Sequence, residues 1–164
     1  MRKIFALLAV FPSAVLADAP PAQPDPLPVA AHLHVPCEQG CLNPIEAVTY
    51  ASYLGSRAGV AGEFELTVKA VGFENGRFFL NSELDYRDRN CLTLVVPQAV
   101  MQLVAGSSDV SEVRAKLVGK RIVAQGIARQ VRIDFIQDNK PKGKYYYQVH
   151  LLIGQRQQMI VMPV

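Results

Sequence analysis

Val60-Ala61-Gly62-Glu63-Phe64-Glu65-Leu66-Thr67-Val68-Lys69-Ala70 carries the pattern that decides the fold. Phe64, Leu66, Val68 and Ala70 alternate with Glu63, Glu65, Thr67 and Lys69. A period of two turns the first set to one face of a strand and the second to water. Glu74-Asn75-Gly76 follows. Asn and Gly tolerate positive φ, so this is a tight-turn signal, and Arg77 to Leu80 reads as the return strand.

Working outward, Asn81 to Asn90 is polar and loop-like, and Cys91 to Val96 is a third strand, apolar on both faces. Pro97 ends that strand and suits the start of a helix. Val100, Met101, Val104, Val113 and Leu117 keep helical spacing, broken at Gly106-Ser107-Ser108, with a second start over Ser108 to Glu112. Gly119 opens the longest strand pattern. Ile122, Ala124, Gly126 and Ala128 share one face, and the alternation runs on to Phe135. Asp138 to Gly143 reads as a turn, Tyr145 to Ile153 as a fifth strand, and Gln158 to Met162 as a short last segment. Upstream, Asn43-Pro44-Ile45-Glu46 has the cap, the first-turn proline and the capping-box partner of a helix over about 44–54, stopped by Gly55.

The connectivity is a short helix, three strands, a helical region and two strands. This predicts a mainly β domain with one or two helices, a five-stranded OB-fold-like Greek-key barrel (β-β-β-α-β-β) preceded by a short helix, over residues 43–164. Three segments carry a resemblance: Val60-Ala61-Gly62-Glu63-Phe64, Gly76-Arg77-Phe78-Phe79-Leu80-Asn81, and Gly119-Lys120-Arg121-Ile122-Val123-Ala124-Gln125-Gly126. With them, Gly59 to Met162 resembles the small OB-fold domains of exported, periplasmic bacterial proteins. The resemblance implies a fold far more than a function.

The N-terminus suggests the compartment. Arg2 and Lys3, an apolar run over Ile4–Val10 and small residues before Asp18 read as a signal peptide over residues 1–17, cleaved after Ala17 or, as a near rival, after Ala19. The run is too short for a stable membrane anchor. Residues 18–42 form a leader with Pro20, Pro21, Pro24, Pro26 and Pro28, expected to be extended. The chain has 164 residues, half of them hydrophobic and 19% charged, which excludes wholesale disorder. Its formal charge of +3 falls to +1 once residues 1–17 are removed. The charge is uneven. Residues 18–113 carry a net −7 and residues 114–164 a net +8. The chain is therefore expected to be periplasmic or secreted.

Three sets of residues are candidates for chemistry. His32, His34, Cys37 and Cys41 lie within ten residues and have the donor types of a zinc or copper site. In an oxidising compartment a disulfide is the preferred reading. Spacing leaves two pairings open, Cys37 with Cys41 or one of them with Cys91. For catalysis, the chain has no phosphate loop, no Gly-x-Ser-x-Gly and no His-Glu-x-x-His. His150 reads as a structural or surface histidine, and Asp85, Asp88 and Asp134 have no spacing that singles out a carboxylate pair. An enzyme is the least favoured class, and no cofactor is expected.

For binding, OB folds use the face of strands two and three with the adjoining loops. That region holds Tyr86, Arg87 and Arg89. Arg129, Arg132, Lys142, Lys144, Tyr145 and Tyr147 add cations and rings on the last two strands. The expected function is non-enzymatic recognition of a protein, peptide or small anionic ligand. The alternatives are single-stranded nucleic acid, held by stacking and phosphate neutralisation, and metal handling by the His32–Cys41 segment.

Overall fold

The computed structural model describes Cys37, residues 40–137 and residues 140–163. The expected signal peptide, its cleavage site and nearly all of the leader, His32 and His34 included, lie outside the described residues. The described chain is mainly β, with three α-helices. Among the described residues no helix is long and apolar enough to cross a membrane.

Helix α1 spans Pro44–Ala58. Asn43 caps it. Its side chain accepts from the Glu46 N–H, and the Glu46 carboxylate accepts from the Asn43 N–H. Gly55, with φ of 73° and ψ of −170°, breaks the helical geometry at the expected stop, and a further turn beyond the kink carries the element to Ala58. Ala47 and Ala51 on its inner face are fully buried, and their small side chains let the helix lie close on the sheet.

Seven strands form one curled sheet: β1 (Val60–Thr67), β2 (Ala70–Glu74), β3 (Arg77–Asn81), β4 (Leu92–Pro97), β5 (Arg121–Gln137), β6 (Lys140–Leu152) and β7 (Met159–Val161). Helices α2 (Gln98–Ala105) and α3 (Val110–Leu117) lie between β4 and β5. Asp109 caps α3, its carboxylate accepting from the Ser111 and Glu112 N–H groups. The strand order is β1-β5-β6-β4-β3-β2, with β7 added to β5. All pairs are antiparallel except β4 with β6. This architecture is consistent with an OB-fold-like barrel.

Three expectations need correction. Seven strands stand where five were expected, because the first strand changes partner at Val68–Lys69 and divides into β1 and β2, and because the last segment pairs with β5 as β7. Three helices replace one or two. The turn expected over Asp138 to Gly143 is shorter, since β6 already begins at Lys140. Asp138 and Asn139 themselves lie outside the described residues.

The turn at Asn75-Gly76 forms as the sequence predicts, with φ of 49° and 72°. The core face of the sheet carries Leu80, Leu94, Leu151 and Ala128 in cross-strand register, all fully buried. Phe64, Leu66, Phe78 and Ile122 complete it. Each such side chain contributes roughly 1.5–3 kcal/mol of transfer free energy.

Gly59, between α1 and β1, has a φ of 70°, and a Cβ placed there would lie 2.6 Å from the Ala128 carbonyl oxygen and 2.5 Å from Arg129 Cγ. Backbone cannot give way cheaply. Gly76 also has positive φ, but a Cβ there would meet nothing within 4 Å. Gly59→Ala is expected to destabilise by about 2 kcal/mol or more, and Gly76→Ala by about 1 kcal/mol. Urea unfolding of the two variants checks the order, and equal effects would refute the crowding at Gly59.

Candidate functional site

The sheet has a second face, opposite the core. Register places Gly72, Phe79 and Val95 beside one another across β2, β3 and β4, and Asn81, Thr93 and His150 likewise across β3, β4 and β6. Further out on β5 and β6, Val131 opposes Gln148 and Ile133 opposes Tyr146. These residues line a cleft of about 760 Å³. That lies within the range of small-ligand sites, roughly 300–1,000 Å³.

Each wall has a local cause. At one end the Asn75-Gly76 turn raises Phe73, Glu74 and Arg77 to the rim. At the other, β5 and β6 run well past their neighbours. β1 leaves β5 at Ala128, and β4 leaves β6 at Val149. The freed hairpin brings Phe135 and Tyr146 over the cleft, with ring centroids 5.4 Å apart. The remaining wall is Tyr86, in the loop between β3 and β4. Two aspartates shape this loop. Asp85 accepts from the Arg87 N–H at 2.9 Å, and Asp88 from the Asn90 N–H at 2.8 Å. Asp85 and Asp88 therefore serve turns, and Asp134 is bound by Arg132.

The floor is polar and neutral. Thr93 donates its hydroxyl to Asn81 Oδ1 at 2.9 Å. His150 is 9% exposed, and burial pushes its imidazole down to about 4. It is neutral near pH 7. Its Nε2 lies 2.7 Å from Gln148 Oε1, and Gln148 Nε2 donates to the Tyr86 carbonyl at 3.0 Å. The amide orientation implies that His150 donates from Nε2. This chain ties the floor of the cleft to its Tyr86 wall. Burial also raises the Tyr146 phenol, so its hydroxyl stays protonated.

The residues singled out from sequence do not share one surface. Tyr86 lines the cleft, with Arg87 stacked 5.1 Å over its ring. Arg89 is exposed on the same loop. Arg132, Tyr145 and Tyr147 do come together, but on the opposite face of the hairpin. Arg132 opposes Tyr147 in register, its guanidinium lies 4.1 Å over the Tyr145 ring, and Nη2 binds Asp134 at 2.6 Å. That ion pair holds the guanidinium above its ordinary value. Tyr145 and Tyr147 meet edge to face at 5.6 Å, and each is about half exposed. Arg129 opposes His150, and its Nε is buried with no hydrogen-bond partner among the described residues. Lys144 is exposed on the hairpin. The side chain of Lys142 lies outside the described residues.

Sequence reasoning missed Tyr146, Gln148, Phe79 and Phe135 as site residues, and assigned His150 no ligand role. The alternation of β6 did separate Tyr146 from its two neighbours. Only the tertiary structure shows that the Tyr146 side faces the cleft.

The cysteines resolve the open pairing. Cys37 and Cys41 form a disulfide with Cα atoms 4.9 Å apart, and Cys91 is a buried free thiol. The two sulfurs and a Glu63 carboxylate oxygen lie within 4.8 Å of one another. Bonded to each other, the sulfurs are not thiolate ligands. This corrects the metal reading for Cys37 and Cys41; His32 and His34 lie outside the described residues.

No protein-family model and no curated protein matches the chain. Among solved structures it is similar to an aspartyl tRNA synthetase from Entamoeba histolytica, with 14% identity and a TM-score of 0.38. The similarity covers 68% of this chain and 20% of that one. Nothing of the synthetase's activity transfers at that level of likeness.

With Ellman's reagent and no reductant, the native protein should show no fast-reacting thiol, and the unfolded protein one. Three thiols would refute the disulfide. For His150, the unfolded imidazole protonates near 6.5 and the folded one near 4. Between these values the unfolded chain holds more proton, so stability falls as pH drops from about 6.5 to about 4. The loss reaches at most about 3 kcal/mol. Unfolding curves of wild type and His150→Gln across this window should converge toward pH 4. A constant gap would refute the buried, neutral imidazole.

Proposed function

We propose that this chain is an exported, non-enzymatic binding module of the OB-fold type, and that it holds a protein or peptide segment in the cleft over β3, β4 and β6. The observation that carries this reading is the cleft itself, with aromatic walls and a neutral hydrogen-bonding floor. Supporting the OB assignment, β1 and β2 are consecutive in the chain, and the strand order is the ring such a barrel makes when its long first strand is shared between two neighbours. The parallel pairing of β4 with β6 fits the same connectivity.

Inside the cleft the charge favours an uncharged side chain over an anionic one. Arg77 on the rim stands opposite Glu74, Asp134 is bound to Arg132, and His150 is neutral. Aromatic rings of this kind hold apolar or planar side chains, and Asn81, Gln148 and the tyrosine hydroxyls orient polar atoms. The same arrangement disfavours single-stranded nucleic acid. Stacking rings and cations must line one groove to hold bases and phosphates together. Here Arg132, Tyr145 and Tyr147 face away from Tyr86 and Tyr146, and Arg87, the cation over the Tyr86 ring, lies 3.6 Å from the Asp85 carboxylate.

The test starts from peptides selected on the wild-type protein from a random display library. Phe79→Ala and Tyr146→Ala are expected to weaken the selected peptides about 10-fold or more. Replacing Arg132, Tyr145 and Tyr147 together by Ala should change affinity by less than about twofold. The opposite ranking would move the site to the outer face of the hairpin. A fluorescent thymidine 20-mer serves as competitor reading. Tight binding that falls steeply between about 50 and 200 mM salt would replace the proposal with nucleic-acid binding.

A further inference from the structure

β6 is paired on both sides only over Val149–Leu151, where β4 and β5 flank it. Over Tyr145–Gln148, and again at Lys140 and Pro141 beyond a bulge, its β5 side is paired and its β4 side has no strand. Among the described residues no backbone hydrogen bond leaves that side. The loop carrying Tyr86 stands at the foot of this edge, where Gln148 holds the Tyr86 carbonyl. Tyr146 and Gln148 on the same stretch point into the cleft. An open row of N–H and C=O groups thus runs directly beside an apolar, aromatic-walled cavity.

An open edge is a template for another strand. Its occupant is constrained by charge. Lys140 and Lys144 are exposed on this stretch, and Pro141 removes a donor near the tip. A second copy of the same edge would set these lysines against their equals, so self-pairing is opposed. A strand bearing carboxylates is favoured by the same charges.

We infer that the cleft's occupant is an extended, acidic polypeptide segment that adds as a strand to the open edge of β6 and inserts one apolar side chain between Phe79 and Tyr146. The inference rests on the cleft reading above and deepens it. Main-chain hydrogen bonds to Lys144–Gln148 supply sequence-independent affinity. The inserted side chain supplies selectivity, and the carboxylates beside Lys140 and Lys144 favour acidic segments over basic ones.

The experiment uses the full mature chain, labelled with ¹⁵N, and an eight-residue peptide alternating glutamate with valine, with one valine replaced by phenylalanine. Amide shifts are expected at Tyr145 to Gln148 on the edge and at Phe79 and Val95 beneath the cleft. Alternate amides between Lys144 and Gln148 should gain protection from hydrogen exchange. Two N-methylated peptides then separate edge pairing from cleft filling. Methyl groups on the alternate nitrogens that face β6 should weaken binding about 10-fold or more, and methyl groups on the other set should change it by less than about twofold. A lysine-for-glutamate peptide should bind more weakly than its acidic counterpart. If cleft amides shift but both methylated peptides bind like the parent, strand addition is wrong and the cleft reading stands. If neither cleft nor edge amides shift, the inference is overturned, and peptides selected in the separate display experiment decide the cleft reading.

Discussion

The structure depends on one corner of backbone. The Val68 N–H donates to the Lys120 carbonyl, and the next residue, Lys69, donates to the Asn81 carbonyl. The Gly119 N–H returns a bond to the Val68 carbonyl. Consecutive peptide groups thus bond to opposite neighbours. β1 hands the sheet from β5 to β3 within two residues, and Val68 buries its side chain fully at the turn. Without this transfer β1 and β2 would end the sheet as two open edges, with their main-chain groups left to water or to other chains.

Joining the ends of the sheet in this way gives it an inside and an outside. The inside takes Leu80, Leu94, Leu151 and Ala128 in register, with α1 lying close on its two buried alanines. The outside is left with residues that could not enter the core, and the overhanging β5–β6 hairpin curves above them. The cleft is thus a by-product of strand lengths. β5 and β6 extend beyond the strands that should flank them, so they cover the sheet instead of continuing it. The same mismatch leaves the β4 side of β6 open ahead of Val149.

Polar contacts then set the character of the cleft. The His150–Gln148–Tyr86 chain fixes a loop that has few apolar anchors of its own, and it does so with neutral groups. A buried imidazole with no carboxylate partner gives up its proton, because burial penalises charge. Two cations of the C-terminal part are held elsewhere, Arg132 on Asp134 and Arg121 on Glu65. The marked charge asymmetry of the sequence does not converge on one anion site.

Much of the fold is written in local pattern. The alternation over Phe64 to Val68, the Asn75-Gly76 turn, the Asn43 capping box and the long face from Ile122 to Ala128 are each decided by neighbours in sequence, because period, cap and turn chemistry act over a few residues. They were legible for that reason. The division of the first strand was not, since Val68 and Lys69 obtain their partners from residues far along the chain. The pairing of Cys37 with Cys41 needed coordinates because spacing alone allowed Cys91. The site was the least legible part. Period two separates Tyr145 and Tyr147 from Tyr146 but cannot say which side faces the cleft. By itself the sequence determined the elements, their order and their two-faced character. Only the tertiary structure decided that Tyr146, Gln148 and His150 face a cavity with Phe79 and Tyr86, because the overhang of one hairpin above neighbouring strands belongs to several strands together and is carried by no single one.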